Sequence, residues 1–197
     1  MLGTILPFYL TKEILNEDKD GLFVDVGCQL GYYSVLSSLV GVQTISIDFC
    51  NSFLTLFRKT IENNKLTKIK IVNESVDENF DLLEHVSSNI NLIKIDIEGS
   101  EKFLFSSIEP LLSENKIKNI IMEISPNLDD SYRDLCQKLY SHGYQIYDIG
   151  LSHQRKLNQN TNHLQNIEKL KIPIDNISDY IENLEYRQSN FLFRKII

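Results

Sequence analysis

Six short apolar runs, alternating with longer stretches of helical periodicity, constrain this chain more than any other feature. The runs occupy residues 22–26, 44–48, 69–72, 92–97, 117–124 and 144–149. Residues 32–40, 52–63, 79–87, 101–112 and 129–142 between them read as helices. Leu36 with Leu39 and Val40, Leu54 with Phe57 and Ile61, and Leu135 with Leu139 recur at spacings of three and four, which puts them on one helical face. Strand–helix alternation predicts an α/β fold whose mostly parallel sheet is covered on both faces. The continuous apolar character of 92–97 and 120–124 suits central strands buried from both sides.

Beyond Gly150 the texture changes. Residues 151–187 are rich in Asn, Gln, Lys and Glu, and 191–197 (FLFRKII) read as a strand again. The expectation is a sixth strand, a long insertion and an antiparallel seventh strand. The insertion would then emerge at the carboxyl edge of the sheet, where open α/β sheets bind ligands, and would cover the site. At 197 residues, with hydrophobic residues at 42%, residues 1–197 are expected to be one domain around one core.

Charge and cysteine usage narrow the function. Twenty Lys and Arg against 27 Asp and Glu leave a net charge of −7, which argues against a DNA-binding face. No apolar run approaches the roughly 20 residues of a membrane span, and the first residues lack a signal-peptide pattern. Cys28, Cys50 and Cys136 are odd in number and have no C-x-x-C spacing, so neither a disulfide framework nor a zinc site is expected. A cytoplasmic protein is the expectation.

The sharpest local signal is Phe23-Val24-Asp25-Val26-Gly27-Cys28-Gln29-Leu30-Gly31-Tyr32: a strand, a glycine turn and a helix start, spaced D-x-G-x-x-x-G. A dinucleotide fold prefers G-x-G-x-x-G, but Gln29 holds the middle position. A phosphate loop needs G-K-[ST], and Gly31 is followed by Tyr32-Tyr33-Ser34. A carboxylate at the strand's end repels phosphate and favours ammonium. S-Adenosylmethionine carries an amino group and a sulfonium and no phosphate. Asp25 is expected to hold its amino-acid end, directly or through backbone and water, Gly27 to admit the cofactor to the backbone, and Gly31 to let the helix close on the strand.

Further acids follow. Asp48 ends the second strand about 20 residues after the turn, where a ribose diol finds a carboxylate in doubly wound sheets. Phe49 could wall one side of an adenine ring. Asn73-Glu74-Ser75-Val76 end the third strand, and backbone groups there (Ser75, Val76) or the Glu74 side chain could read the adenine edge, with Glu74 rather expected to be solvated. At the fourth strand, Leu92-Ile93-Lys94-Ile95-Asp96-Ile97-Glu98-Gly99-Ser100-Glu101 sets three acids at one edge. Such a cluster is expensive unless something pairs with it, and Lys94 is a partner at hand. Ser100 reads as an ordinary helix cap, and Asp96 as the acid that faces the transferred methyl.

VDVGCQLGYYS followed by LIKIDIEGSE resembles the FkbM family of methyltransferases, whose members are similar to one another in D-V-G-A-N-x-G-Y-Y-S and K-x-D-V-E-G-x-E. Glu123 in IIMEIS resembles the family's acid at the end of the fifth strand. The resemblance covers roughly residues 21–126. It implies a class I methyltransferase (Rossmann-like) fold with a seven-stranded sheet, S-adenosylmethionine as cofactor, and methyl transfer to a hydroxyl, often of a sugar or a secondary metabolite. Carried over by position, Asp25, Gly27 and Gly31 would bind cofactor, and Asp96, Glu98 and Glu101 would line the reaction centre. Cys28-Gln29 replaces the family's Ala-Asn, and Asp48-Phe49 replaces Glu-Pro. The short segment before the first strand leaves 151–187 as the expected substrate cover.

Asp96, Glu98 or Glu123 could accept the hydroxyl proton, or two of them could hold Mg²⁺. His153 and His163 are weaker base candidates, and His85 and His142 read as structural. Neither D/N-P-P-Y/F nor a Pro-Cys or Thr-Cys nucleophile occurs, which disfavours nucleobase methylation. The leading expectation is an O-methyltransferase of a sugar, glycan precursor or similar small molecule. A macromolecular acceptor (RNA ribose or protein side chain) and a non-catalytic cofactor-binding module are the alternatives, and a homodimer stays open.

Overall fold

Runs rich in Ile, Val and Leu, with no glycine or proline inside them, satisfy their backbones by pairing side by side. In the computed structural model, which describes residues 5–97, 99–124, 131–150, 164–183 and 189–196, all six runs are strands. They are β1 (Leu22–Val26), β2 (Thr44–Ile47), β3 (Ile69–Val72), β4 (Ile90–Ile95), β5 (Ile117–Ile124) and β6 (Tyr144–Asp148). Two more strands follow, β7 (Lys171–Ile172) and β8 (Ser189–Lys195). The sheet runs β3-β2-β1-β4-β5-β8-β6-β7. β1 pairs in parallel with both β2 and β4, so the strand order reverses between them and the crevice above their carboxyl ends is the switch point of the fold. β8 is antiparallel to β5 and β6 and inserts between them.

Helices cover both faces. α1 (Ile5–Glu17) and α2 (Tyr32–Val40) pack Leu6, Leu10, Ile14 and Tyr33 against Phe23, Leu92, Ile121 and Leu192. α3 (Asn51–Asn63) adds Leu54 and Phe57 beside α2. α4 (Glu101–Ser113), α5 (Ser131–Ser141) and α6 (Ile177–Glu182) cover the other face, over Val24, Ile93, Ile95 and Met122. Each fully buried Leu or Ile contributes roughly 1.5–3 kcal/mol. Asn91 fastens α1 to the sheet, its amide donating to the carbonyls of Ile14 and Asp18 at 3.1 and 2.9 Å.

Several expectations need correction. Among the described residues the sheet has eight strands rather than seven, because two residues of the polar segment pair with β6 at the sheet edge, too few to leave an alternation in the sequence. The expected helix at 79–87 is only a 3-10 turn, Leu82–Glu84. Asp81 accepts from the Leu83 amide, and Ser107 lies 2.6 Å from the Leu82 nitrogen, so local caps replace helix propagation. Ser100 occupies the cap position of α4 without a side-chain cap bond; the Glu101 carboxylate takes the Gly99 N–H instead, at 2.8 Å. Of the insertion, 151–163 and 184–187 lie outside the described residues, and with them His153 and His163.

Candidate functional site at the carboxyl edge

The turn after β1 is built by left-handed backbone. Gly27, Gln29 and Gly31 have φ of 79°, 47° and 76°. A Cβ on Gly27 would stand 1.9 Å from the Asp96 carbonyl oxygen, so the absent side chain lets the ends of β1 and β4 pass. A Cβ on Gly31 would strike the Phe57 ring at 2.1 Å, so this glycine makes room for α3 rather than for strand β1. The Gly27 and Cys28 amides donate to the Ile47 carbonyl at 2.9 and 3.1 Å, which pins the turn to β2.

Asp48 sits where those elements meet. Its Oδ2 accepts from the Gln29 N–H and its Oδ1 from the Cys50 N–H, both at 2.8 Å. Asn73 of the β3 end donates to the carbonyls of Asp48 and Phe49, each at 3.0 Å. Beside Asp48 opens a cavity of about 300 Å³, lined by Gly27, Asp48, Phe49, Ser75, Val76 and Asp96, among others. Phe49 is 74% exposed and stands at its mouth. Glu74 also lines it and is solvent-exposed as expected, while His85, stacked on Phe80, stands 3.0 Å from its carboxylate. Three carboxylates (Asp48, Glu74 and Asp96) and no Lys or Arg line the cavity among the described residues. That donor set fits a cationic, phosphate-free nucleoside and would repel a pyrophosphate.

Asp25 lies beneath this cavity rather than on its wall. It is buried, Oδ2 accepts from the Ser34 hydroxyl at 2.6 Å, and Ser34 in turn meets Ser46 at 2.7 Å. Oδ1 is buried without a hydrogen-bond partner. Burial holds the carboxyl above the usual Asp range, opposed by the Lys94 charge and the Ser34 bond. The folded chain therefore keeps this proton to a higher pH than the unfolded chain. Its stability falls as pH rises from the ordinary Asp value of about 3.9 to the raised one, by about 1.4 kcal/mol per pH unit of that window. Asp25→Asn is expected to remove this fall, gaining on wild type across the window and holding a constant gain above it. Urea denaturation at a series of pH values reads this out, and a difference that does not change with pH would contradict it.

The reaction edge lies beside β4. Lys94, only 4% exposed, donates to Asp96 Oδ2 at 2.9 Å, and its ammonium stands 4.9 Å from the centre of the Tyr33 ring. The pairing expected of Lys94 is thus present. Glu123 of β5 faces Asn190 of β8, whose amide donates to it at 3.3 Å. The Tyr33 hydroxyl is raised by burial first and then by Asp25, Asp96, Tyr32 and Glu123, so these groups share one neighbourhood. Tyr33 and Asn190 were not candidates from sequence. The doublet Tyr32-Tyr33 was visible but carried no chemical signature, and Asn190 arrives through the insertion of β8. Glu98 lies outside the described residues. No group of three His, Cys, Asp or Glu side chains poised for a metal occurs among the described residues.

A wider hollow of about 830 Å³ lies at the opposite, amino edge, lined by Glu13, Glu17, Glu168 and Arg194 among others. Arg194 and Glu17 pair there at 2.9 and 3.1 Å, and none of the strand-end acids reaches it.

A sequence model of the methyltransferase FkbM domain matches residues 30–146. No curated protein matches the chain. Among solved structures, a Streptococcus mutans protein in complex with SAH is similar with TM-score 0.63 and 11% identity, covering 96% of this chain and 98% of its own. An rRNA methylase from Streptococcus thermophilus follows with TM-score 0.57 and 14% identity, covering 97% of each chain. The O-methyltransferase of a trans-AT PKS multienzyme of Brevibacillus brevis, in complex with S-adenosyl-L-homocysteine, gives TM-score 0.53 and 13% identity over 94% of this chain and 70% of its own. At such identities the likeness establishes the class I methyltransferase fold.

Proposed function

The chain belongs to the FkbM methyltransferase family, whose domain spans more than half of it, and it is an S-adenosylmethionine-dependent methyltransferase; on that premise we propose that it methylates a hydroxyl of a sugar, glycan precursor or similar small molecule. The acid-lined cavity over Gly27 carries this reading. Asp48 would take the ribose diol with the lone pairs that Gln29 and Cys50 leave over, and such charge-assisted bonds are stronger than neutral ones. Ser75, Val76 and Phe49 would bound the base, and Gly27 and Gly31 shape the turn beneath. Asp25 would act on the amino-acid end through Ser34 and the turn.

When bound, the cofactor supplies an electrophilic methyl on a sulfonium. The chain's own residues orient the acceptor and remove its proton. Alignment of that kind is worth on the order of 7–11 kcal/mol in the best cases. Lys94 fixes the Asp96 carboxylate at the cavity wall, and Asp96 takes the hydroxyl proton, with Glu123 and Glu98 as the alternative candidate bases.

In this reading, residues 1–197 form one methyltransferase domain; of the segment 151–187 expected to cover the acceptor, Leu164, Ile167 and Glu168 line the amino-edge hollow instead. The described part of the insertion is fastened to the body: the Tyr180 hydroxyl donates to buried Asp148 at 2.6 Å, and Asp148 also takes the Ser189 hydroxyl at 2.6 Å. The free thiols of Cys28, Cys50 and Cys136 accord with a cytoplasmic setting, and no helix among the described residues is long and apolar enough to cross a membrane.

Asp48→Ala is expected to weaken S-adenosylhomocysteine binding roughly 10- to 100-fold, the cost of losing one or two bonds to a charged group. Titration calorimetry checks this, with a thermal melt to confirm folding. Equal affinity in a folded variant would overturn the ribose assignment. Radiolabelled methyl offered to a panel of free sugars, glycolipids and total RNA tests the acceptor class. Label in carbohydrate supports the proposal, and label in RNA alone replaces it.

A further inference from the structure

The first turns of α1 and α2 meet above the carboxyl edge, and each carries a pair of aromatic residues: Phe8 and Tyr9 on one, Tyr32 and Tyr33 on the other. Their rings form a continuous ledge. Phe8 lies 5.1 Å from Tyr32 and 6.0 Å from Tyr9 between centroids, and Tyr32 lies 5.6 Å from Tyr33 at 90°. Tyr33 is buried against Lys94, the partner of Asp96, while Tyr32 and Tyr9 remain 61% and 43% exposed. The ledge therefore begins at the reaction centre and leads outward. It is not needed to hold the cofactor, since none of its rings lines the cavity beside Asp48.

Resting on the reading of that cavity as the cofactor site, we infer that the ledge of Phe8, Tyr9 and Tyr32 is the acceptor platform, on which a pyranose ring stacks its C–H face and presents a hydroxyl to Asp96. An exposed ledge does not enclose a small apolar molecule, which binding pockets normally bury by 70–90%. A saccharide is suited to it: one face is apolar enough to lie on aromatic rings, and the hydroxyls of the other face stay in water. A nucleic-acid base could also stack on such rings. The net charge of −7 and the carboxylate of Asp96, whose partner Lys94 lies against Tyr33, oppose a polyphosphate chain, which favours the neutral saccharide.

Saturation-transfer NMR of the full chain loaded with S-adenosylhomocysteine tests this, with methyl pyranosides of glucose, galactose, mannose and rhamnose as probes. At least one pyranoside is expected to receive saturation on its ring C–H protons. Tyr32→Ala should weaken that binding roughly three- to tenfold, the scale of one aromatic stacking contact, and Tyr32→Phe should retain it. Affinity for S-adenosylhomocysteine should be unchanged in both, since Tyr32 does not line the cofactor cavity. No transfer to any pyranoside, or transfer equal in wild type and Tyr32→Ala, overturns the platform while leaving the cofactor reading intact. Loss of S-adenosylhomocysteine binding in wild type would sink the cofactor reading instead. Tyr32-dependent binding of oligouridine in place of the pyranosides would reject the saccharide.

Discussion

Gly27→Ala is expected to abolish measurable S-adenosylhomocysteine binding and to lower Tm by on the order of 10 °C, a loss of about 3 kcal/mol or more for a domain of this size. The added methyl would meet the Asp96 carbonyl oxygen at 1.9 Å and its carbon at 2.8 Å. That neighbour is backbone and is fixed, because the Asp96 N–H donates to the Val26 carbonyl at 3.0 Å. It cannot swing aside as a long side chain would. The left-handed φ of 79° adds about 1–2 kcal/mol of its own for a residue with a Cβ. Relief requires the ends of β1 and β4 to part. That movement displaces Asp96 directly and Asp48 through the Gln29 amide. Gly41→Ala is the control: its φ is 97°, but nothing lies within 4 Å of the added carbon, so only the strain is felt. If differential scanning calorimetry finds the two variants equally stable, close passage of the strands is not what Gly27 provides.

How far the sequence reveals this molecule depends on the distance over which each feature is determined. β1, β4 and β5 were legible because both their faces are buried, which forces continuous apolar runs. The helices α2 to α5 were legible from side chains three and four apart. α1 carried the same signal in Leu6, Leu10 and Ile14, yet nothing in the strand–helix alternation demands a helix before the first strand. The 3-10 turn at Leu82–Glu84 shows the opposite failure, where periodicity suggested a helix and Asp81 and Ser107 imposed a turn. At the site, Asp48 and Asp96 could be found because a carboxylate ending a buried strand is costly without a purpose. The position of Asp25 could not be found in that way. Its burial beneath the turn follows from α2 bringing Ser34 to it, a tertiary fact with no local mark. Asn190 and Glu123 come together only because β8 inserts antiparallel beside β5.

Asp96→Asn is expected to lower kcat for methyl transfer by about 10²- to 10⁴-fold, the usual contribution of a positioned base, equivalent to roughly 2.7–5.4 kcal/mol. The amide keeps the shape of the side chain and its place at the cavity wall but cannot accept the hydroxyl proton. The fold should survive, since the amide oxygen of Asn can still accept from the Lys94 ammonium. S-Adenosylhomocysteine affinity should then change only a few-fold, as ribose recognition rests on Asp48 rather than on Asp96. Turnover and binding therefore separate: Asp48→Ala raises the cofactor Kd, whereas Asp96→Asn lowers kcat. The comparison with Glu123→Gln assigns the base. Single-turnover rates measured with radiolabelled cofactor should show the larger loss at Asp96, because its carboxylate lines the cavity and is fixed there by the buried ammonium of Lys94, whereas Glu123 stands one strand further along the edge. A rate for Asp96→Asn within tenfold of wild type, with collapse in Glu123→Gln, would move the proton acceptor to β5 and leave Asp96 as the group that neutralises Lys94.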